Sequence, residues 1–208
     1  MAEKKVSSAM ADASNDNDVR HGAQYGMIID TGACVGCQTC VVSCVIDHKL
    51  PDGVQWSHVQ SYDGDVLYQS TGTFPDSVLK FRPTLCNHCS NPACVAACPT
   101  GAMAKDPATG IVRPDGETCI GCGACVVACP YGVPAIDPQA NVSTKCTFCA
   151  DLVADGVEPY CVASCPANAR IFGDLSDQQS AAAQLLAMSP DAEQLLVEMG
   201  TQPNVYYI

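Results

Sequence analysis

Cys119, Cys122 and Cys125 stand three residues apart, Cys129 follows four residues later, and Pro130 comes directly after it. Thiolate is the form of cysteine that binds metal, and a C-x2-C-x2-C-x3-C-P run has the ligand spacing of a cubic iron–sulfur cluster. The first three sulfurs hold one cube and the fourth reaches a neighbouring one. Gly121 and Gly123 let the backbone wrap tightly enough to turn three sulfurs onto three corners of a small cube. Cys129 lies past a short helical turn and so points away from that cube, and Pro130 ends the turn.

Three further groups repeat the pattern. Cys34, Cys37, Cys40 and Cys44 keep the same spacing, with Val45 in place of proline, so the helix is expected to continue through His48. Cys86, Cys89, Cys94 and Cys98-Pro99 have a middle gap widened to four residues, and Cys146, Cys149, Cys161 and Cys165-Pro166 one widened to eleven. All sixteen cysteines of the 208 residues fall into these groups, which form an internal repeat. The widened gaps are expected to present loops outward.

Two other uses of cysteine compete with this reading. A secreted disulfide scaffold would start with an apolar signal segment, and the opening MAEKKVSSAMADASNDND has none, nor a twin-arginine pair. Four zinc sites, each held by four cysteines, also fit the count, but zinc ribbons use paired C-x2-C knuckles rather than triplets followed by a lone cysteine.

The rest of the chain must hold these sulfurs. Aromatic residues make up 6%, so the conventional core is thin and bound metal has to supply part of the stability. The net charge of −12, with ten Lys and Arg, excludes a phosphate-binding surface, so no nucleic acid is expected as a partner. No apolar run reaches the roughly 18 residues of a membrane span, so any link to a membrane has to pass through a partner.

Along the chain, residues 1–24 read as a flexible polar tail. Tyr25–Asp30 and Val66–Phe74 are strand candidates, and Pro51-Asp-Gly53 is a turn. Residues 45–85 hold no cysteine and form an insertion. Ala102–Lys105 and Ile111–Arg113, joined by Asp106-Pro-Ala-Thr-Gly110, carry a hairpin signature. Near the end, Ser176–Gln179 resembles a capping box before a helix at Ala181–Met188. Ser189-Pro190 opens a second helix expected to run to Gly200, with Leu185, Leu186, Leu195, Leu196 and Met199 facing inward.

Each complete cluster takes three cysteines from one group and the last of another. The hairpin joins groups two and three, which pairs Cys86, Cys89 and Cys94 with Cys129, and Cys119, Cys122 and Cys125 with Cys98. The outer groups then complete each other: Cys34, Cys37 and Cys40 with Cys165, and Cys146, Cys149 and Cys161 with Cys44. From the residues alone, pairing one with two and three with four stays open.

The span from Tyr25 to Ile208 resembles the four-cluster iron–sulfur (beta, electron-transfer) subunit of the dimethyl sulfoxide reductase and polysulfide reductase family of molybdopterin oxidoreductases. The residues that carry the resemblance are Cys34-Val-Gly-Cys-Gln-Thr-Cys40, Leu85-Cys-Asn-His-Cys89, Cys119 to Gly132, Lys145-Cys-Thr-Phe-Cys149, Cys165 to Asp174 and the terminal Asn204-Val-Tyr-Tyr-Ile208. The ferredoxin-type runs are generic, whereas their order, Lys-Cys-Thr-Phe-Cys and the C-terminus are specific. The resemblance implies the nested pairing above and an α+β fold of two ferredoxin-like [4Fe–4S] dicluster units, with short helices and hairpins. Some relatives lose a ligand in the third group; here all four cysteines are present, so four [4Fe–4S] clusters are expected. The expected layout is a four-cluster domain at 25–175, with an inner unit at about 80–135, an outer unit from 25–50 and 140–175 and an insertion at 51–80, then a C-terminal helical extension at 176–208.

By this resemblance the chain is an electron-transfer subunit with no catalytic residue of its own. It would relay electrons between a quinone-reactive membrane anchor and a molybdopterin-containing catalytic subunit of an anaerobic respiratory reductase. The formate dehydrogenase version adds a C-terminal membrane helix that this sequence does not show. A free-standing polyferredoxin or hydrogenase-linked carrier is the competing reading, and a zinc protein the third. The expected location is the outer face of a bacterial cytoplasmic membrane, reached by export folded on a partner. His88 is expected to support a neighbouring ligand or lie at the surface rather than bind iron; Lys145 and Arg170 read as surface or interface ions before potential-setting charges; and Trp56 reads as packing.

Overall fold

In the computed structural model of the chain, residues 22–61, 72–77 and 79–208 are described. Two copies of one pattern follow each other. The first runs through β1 (Tyr25–Ile29), α1 (Thr39–Asp47), β2 (Ser57–Ser61), β3 (Phe81–Leu85), α2 (Ala93–Ala96) and β4 (Met103–Lys105). The second runs through β5 (Val112–Pro114), α3 (Ala124–Ala128), β6 (Ala135–Ile136), β7 (Ser143–Thr144), α4 (Ala150–Ala154), α5 (Tyr160–Ala163) and β8 (Arg170–Asp174). The extra helix α4 occupies the widened gap of the fourth cysteine group.

The strands pair across the repeats. β4 and β5 form the expected antiparallel hairpin, Met103 opposite Pro114 and Lys105 opposite Val112. Its turn is held by Asp106, which accepts from Ala108 N at 2.9 Å and Thr109 Oγ1 at 2.9 Å. The matching pair in the other half is β8 with β1, antiparallel from Tyr25 opposite Asp174 to Ile29 opposite Arg170. One pair is made locally and the other by distant stretches of chain. β2 pairs with β3 and β6 with β7, both antiparallel. Likewise α2 packs on α3, and α1 on α5.

The helices are short for a local reason. Pro130 keeps the residue before it out of the helical region, and Cys129 is extended at φ −80°, ψ 115°. Val45 imposes no such limit, and α1 runs on to Asp47 with His48 as its C-cap. At the centre, His88 and Phe148 hold the same place in their cysteine groups, both at positive φ. Their rings stack at 3.8 Å and 26°. The main core surrounds this stack and includes Met27, Ile29, Leu85, Ile111, Val205 and Tyr207; a smaller one joins Cys94, Met103, Val112 and Cys125.

The C-terminal region departs from the expected helical extension. α6 (Ala181–Met188) forms, but its cap is Ser180, whose Oγ accepts from Ala183 N at 3.1 Å, not Ser176. The second helix is absent. Glu193 instead bridges Tyr207, Leu196 turns left-handed at φ 49°, and only a 3-10 turn at Val197–Met199 remains. An isolated helix of this length is marginal, and backbone pairing with the terminal strand displaces it. Leu196 and Met199 are exposed rather than inward, whereas Leu195 packs on the core. The last residues form β9 (Val205–Tyr207), which lies parallel beside β1 in a three-stranded sheet ordered β8-β1-β9. The terminus is therefore part of the main core rather than an appendage. Residues 1–21 of the expected tail, and most of the Val66–Phe74 strand candidate, lie outside the described residues; residues 72–74 carry no strand. No helix among the described residues is long and apolar enough to cross a membrane.

Candidate iron–sulfur centres

The fold brings cysteines from separate stretches around common cavities. Cys86, Cys89, Cys94 and Cys129 line one of about 360 Å³ of non-atom space, part of it open to solvent. Cys98, Cys119, Cys122 and Cys125 line a second of about 330 Å³, and Cys34, Cys37, Cys40 and Cys165 a third of about 340 Å³. The remaining four also face one another. Burial, then Cys161 and Cys149 beside it, push the Cys44 thiol up to about 12. Burial, then Cys86, Cys161 and Cys44, raise Cys146 as well. Cys146 thus lies next to both its own set and the Cys86 set. The Cys86 and Cys146 sets, the inner two by burial, are buried apart from the half-buried Cys129, whereas Cys37 and Cys122 are exposed on the outer two, the Cys34 and Cys119 sets. No cysteine is bridged to another.

The surroundings favour thiolates that carry metal. Short loops turn N–H groups towards sulfur. His88 N donates to Cys86 Sγ and Phe148 N to Cys146 Sγ, each at 3.5 Å. Met103 N donates to Cys98 Sγ and Ala169 N to Cys165 Sγ, each at 3.3 Å. Without a cation, burial chiefly, with the charge of neighbouring cysteines, holds Cys94 up to about 12 and Cys89 and Cys149 up to about 11, so the interior resists bare thiolate. A bound iron centre supplies the missing positive charge, which couples metal loading to deprotonation. Among the described residues, no three His, Cys, Asp or Glu converge as ligands of a single ion do. Sulfurs spread around the wall of a cavity fit a multi-iron group better than a lone zinc.

Several residues near the sulfurs had no clear signal in the sequence. Lys145 and Arg170, expected as surface or interface ions, are buried. Lys145 Nζ lies 3.4 Å from Cys86 Sγ, and Arg170 Nη2 donates to Cys40 Sγ at 3.3 Å and Ser57 Oγ at 3.1 Å. Burial works against the Arg170 charge, but Cys161 and Cys40 outweigh it and raise its affinity for the proton. His88 is fully buried; its Nδ1 accepts from Val112 N at 2.9 Å, and burial, then Lys145 and Lys105, hold it well below the usual histidine range. It is thus a neutral packing residue. His48 Nε2 is 3.2 Å from Cys149 Sγ, with its ring tilted against Trp56, whose Nε1 donates to Thr144 Oγ1 at 2.9 Å. The sequence signal for Lys145 and His88 was adjacency to a cysteine, which does not tell inside from outside, and Arg170, His48 and Trp56 lack even that.

Residues 33–102 and 77–175 each match a family model described as a 4Fe-4S dicluster domain. The chain is 40% identical over 195 residues to a subunit of the tetrathionate reductase of Salmonella typhimurium, covering 93% of this chain and 75% of that one. It is 35% identical over 233 residues to the arsenate respiratory reductase iron–sulfur subunit of a Shewanella species, covering 89% and 96% respectively. A subunit of the sulfite dehydrogenase of Allochromatium vinosum is 37% identical over 206 residues, covering 89% and 82%. The chain belongs to the family of iron–sulfur electron-transfer subunits of dimethyl sulfoxide reductase-type molybdopterin oxidoreductases. As such it is a non-catalytic subunit.

Proposed function

We propose that the chain carries four [4Fe–4S] clusters and relays electrons between a quinone-linked membrane subunit and a molybdopterin catalytic subunit of an anaerobic respiratory reductase. The observation that carries this reading is the meeting of sulfurs from separate cysteine groups, three from one and the last of another. When bound, such clusters supply one-electron exchange without rearrangement of bonds. The cysteines would hold them as Cys34, Cys37, Cys40 and Cys165; Cys146, Cys149, Cys161 and Cys44; Cys86, Cys89, Cys94 and Cys129; and Cys119, Cys122, Cys125 and Cys98.

The protein's own residues set the conditions for transfer. Apolar residues pack around the inner sets, and amide donors aimed at sulfur favour the added electron. The exposed Cys37 and Cys122 leave the outer sets open to contact with other subunits. Relatives named as subunits of tetrathionate, arsenate and sulfite enzymes support a place in a complex whose substrate is chosen by another subunit.

Anaerobic purification is expected to give a brown protein with about sixteen irons per chain, as four full cubes require, co-purifying with a pterin-containing large subunit. A colourless product, or far less iron, would sink the cluster reading. Isolation alone, with no pterin subunit, would favour the free-standing carrier. Export folded on a partner would put the chain on the outer face of the cytoplasmic membrane. Protease added to intact spheroplasts is then expected to digest it, and protection until lysis would argue for the inner face.

A further inference from the structure

Lys145 heads the large side chains that are fully buried. Its Nζ has three neighbours: Cys86 Sγ at 3.4 Å, the Cys146 carbonyl oxygen at 2.9 Å and the Val112 carbonyl oxygen. All three accept. An ammonium offers three donors and no acceptor, so this environment satisfies it completely, whereas a neutral amine would turn its lone pair towards an acceptor. A buried cation without a counter-charge is costly. Among the described residues no Asp or Glu is buried, so the anionic charge available to Lys145 is that of the sulfur sets. Lys145 touches Cys86 of one set through sulfur and Cys146 of the next through its carbonyl.

The internal repeat supplies a comparison within the same chain. Lys145 precedes Cys146 as Leu85 precedes Cys86, and Leu85 is buried and apolar. Arg170 follows Cys165 at the same distance as Met103 follows Cys98, and Met103 is also buried and apolar. The fourth cysteine group therefore brings cations into the core where the second brings hydrocarbon and thioether. The charge is a feature of this half rather than a requirement of the loop.

We propose that Lys145 is a fixed cation set between the Cys86 and Cys146 sets, where it raises the reduction potential at the Cys86 set. Reduction adds negative charge to the centre beside it, and a donor on a ligand sulfur stabilises the reduced form more than the oxidised one. This positioning role rests on the four-cluster reading above. The test is a potentiometric titration followed by electron paramagnetic resonance on the anaerobically purified complex. Lys145→Leu, which copies Leu85, is compared with Lys145→Arg, which keeps the charge. The expected result for Lys145→Leu is a downward shift of one cluster's midpoint, a smaller shift of a second and none of the others, with Lys145→Arg staying nearer the unsubstituted protein. Unmoved midpoints, or an equal shift of every cluster, would overturn the proposal. If Lys145→Leu loses iron, unsubstituted protein labelled with nitrogen-15 at the lysine side chain decides the matter. A nitrogen coupling on a reduced cluster is then expected, and its absence overturns the assignment. Iron content of the unsubstituted protein reports independently on the clusters themselves.

Discussion

The sulfur atoms show why iron and fold depend on each other. Cys44 and Cys94 are held up to about 12 against an ordinary thiol value of 9.0, chiefly by burial. A thiol whose folded value is raised binds its proton more tightly in the folded chain. Its contribution is intact below pH 9 and is lost as pH rises towards about 12. Iron-stripped protein is expected to lose its helical circular dichroism across that window, and loaded protein to keep it; equal loss in both would refute the account. His88 makes a second residue-scale case. His88→Phe copies its repeat partner Phe148 but leaves Val112 N without the acceptor it has at 2.9 Å. An unpaired buried donor costs about 1–3 kcal/mol, offset in part because the substitution also removes His88 Nε2, itself buried without a partner, so the melting temperature is expected to fall slightly while iron content holds. Loss of iron would instead mark His88 as a ligand. The cysteine spacing was legible because a loop of a few residues dictates it. The depth of Lys145 and Arg170 was not, since a cation near a cysteine looks the same in sequence whether it faces water or a neighbouring set.

The ligand loops depend on backbone conformations that few residues adopt. Gly121 sits at φ +66°, and a Cβ there would come within 2.3 Å of the Asn141 carbonyl oxygen. Gly123 sits at φ +73°, but its Cβ would meet nothing within 4 Å. Gly123→Ala is expected to cost only the left-handed penalty of about 1–2 kcal/mol. Gly121→Ala should add a clash with backbone and lose iron from the Cys119 set, about a quarter of the total for one cube in four. Iron assay and thermal melts on the two variants check this, and equal behaviour would count against it. The hairpin at Asp106–Gly110 and helix α1 were readable from turn residues and from Val45 standing where proline stands elsewhere. The expected Ser189–Gly200 helix failed because its pattern is local while its competitor, the pairing of Glu193 with Tyr207, is not. Nor did local pattern announce that the last residues would lie beside the first strand.

Across the whole molecule, exposure is graded from the ends of the sulfur array to its middle. Cys37 and Cys122 are exposed, while Cys86, Cys94, Cys146 and Cys161 are buried. A chelator added under oxidising conditions is therefore expected to remove iron in two phases, about half rapidly from the outer sets and the rest slowly, for two cubes in each class. A single exponential covering all the iron would contradict this. The β8-β1-β9 sheet has a consequence for how the protein is made. A ribosome delivers β1 and the Cys34 loop before the Cys86 and Cys119 loops, but their partners, Cys165, β8 and β9, come after those loops. The Cys86 and Cys119 loops, joined by a hairpin, can meet while translation continues. Maturation should therefore begin with the Cys86 and Cys119 loops, leaving the earlier-made thiols of the Cys34 loop waiting, reduced and guarded, until β8 and β9 have emerged.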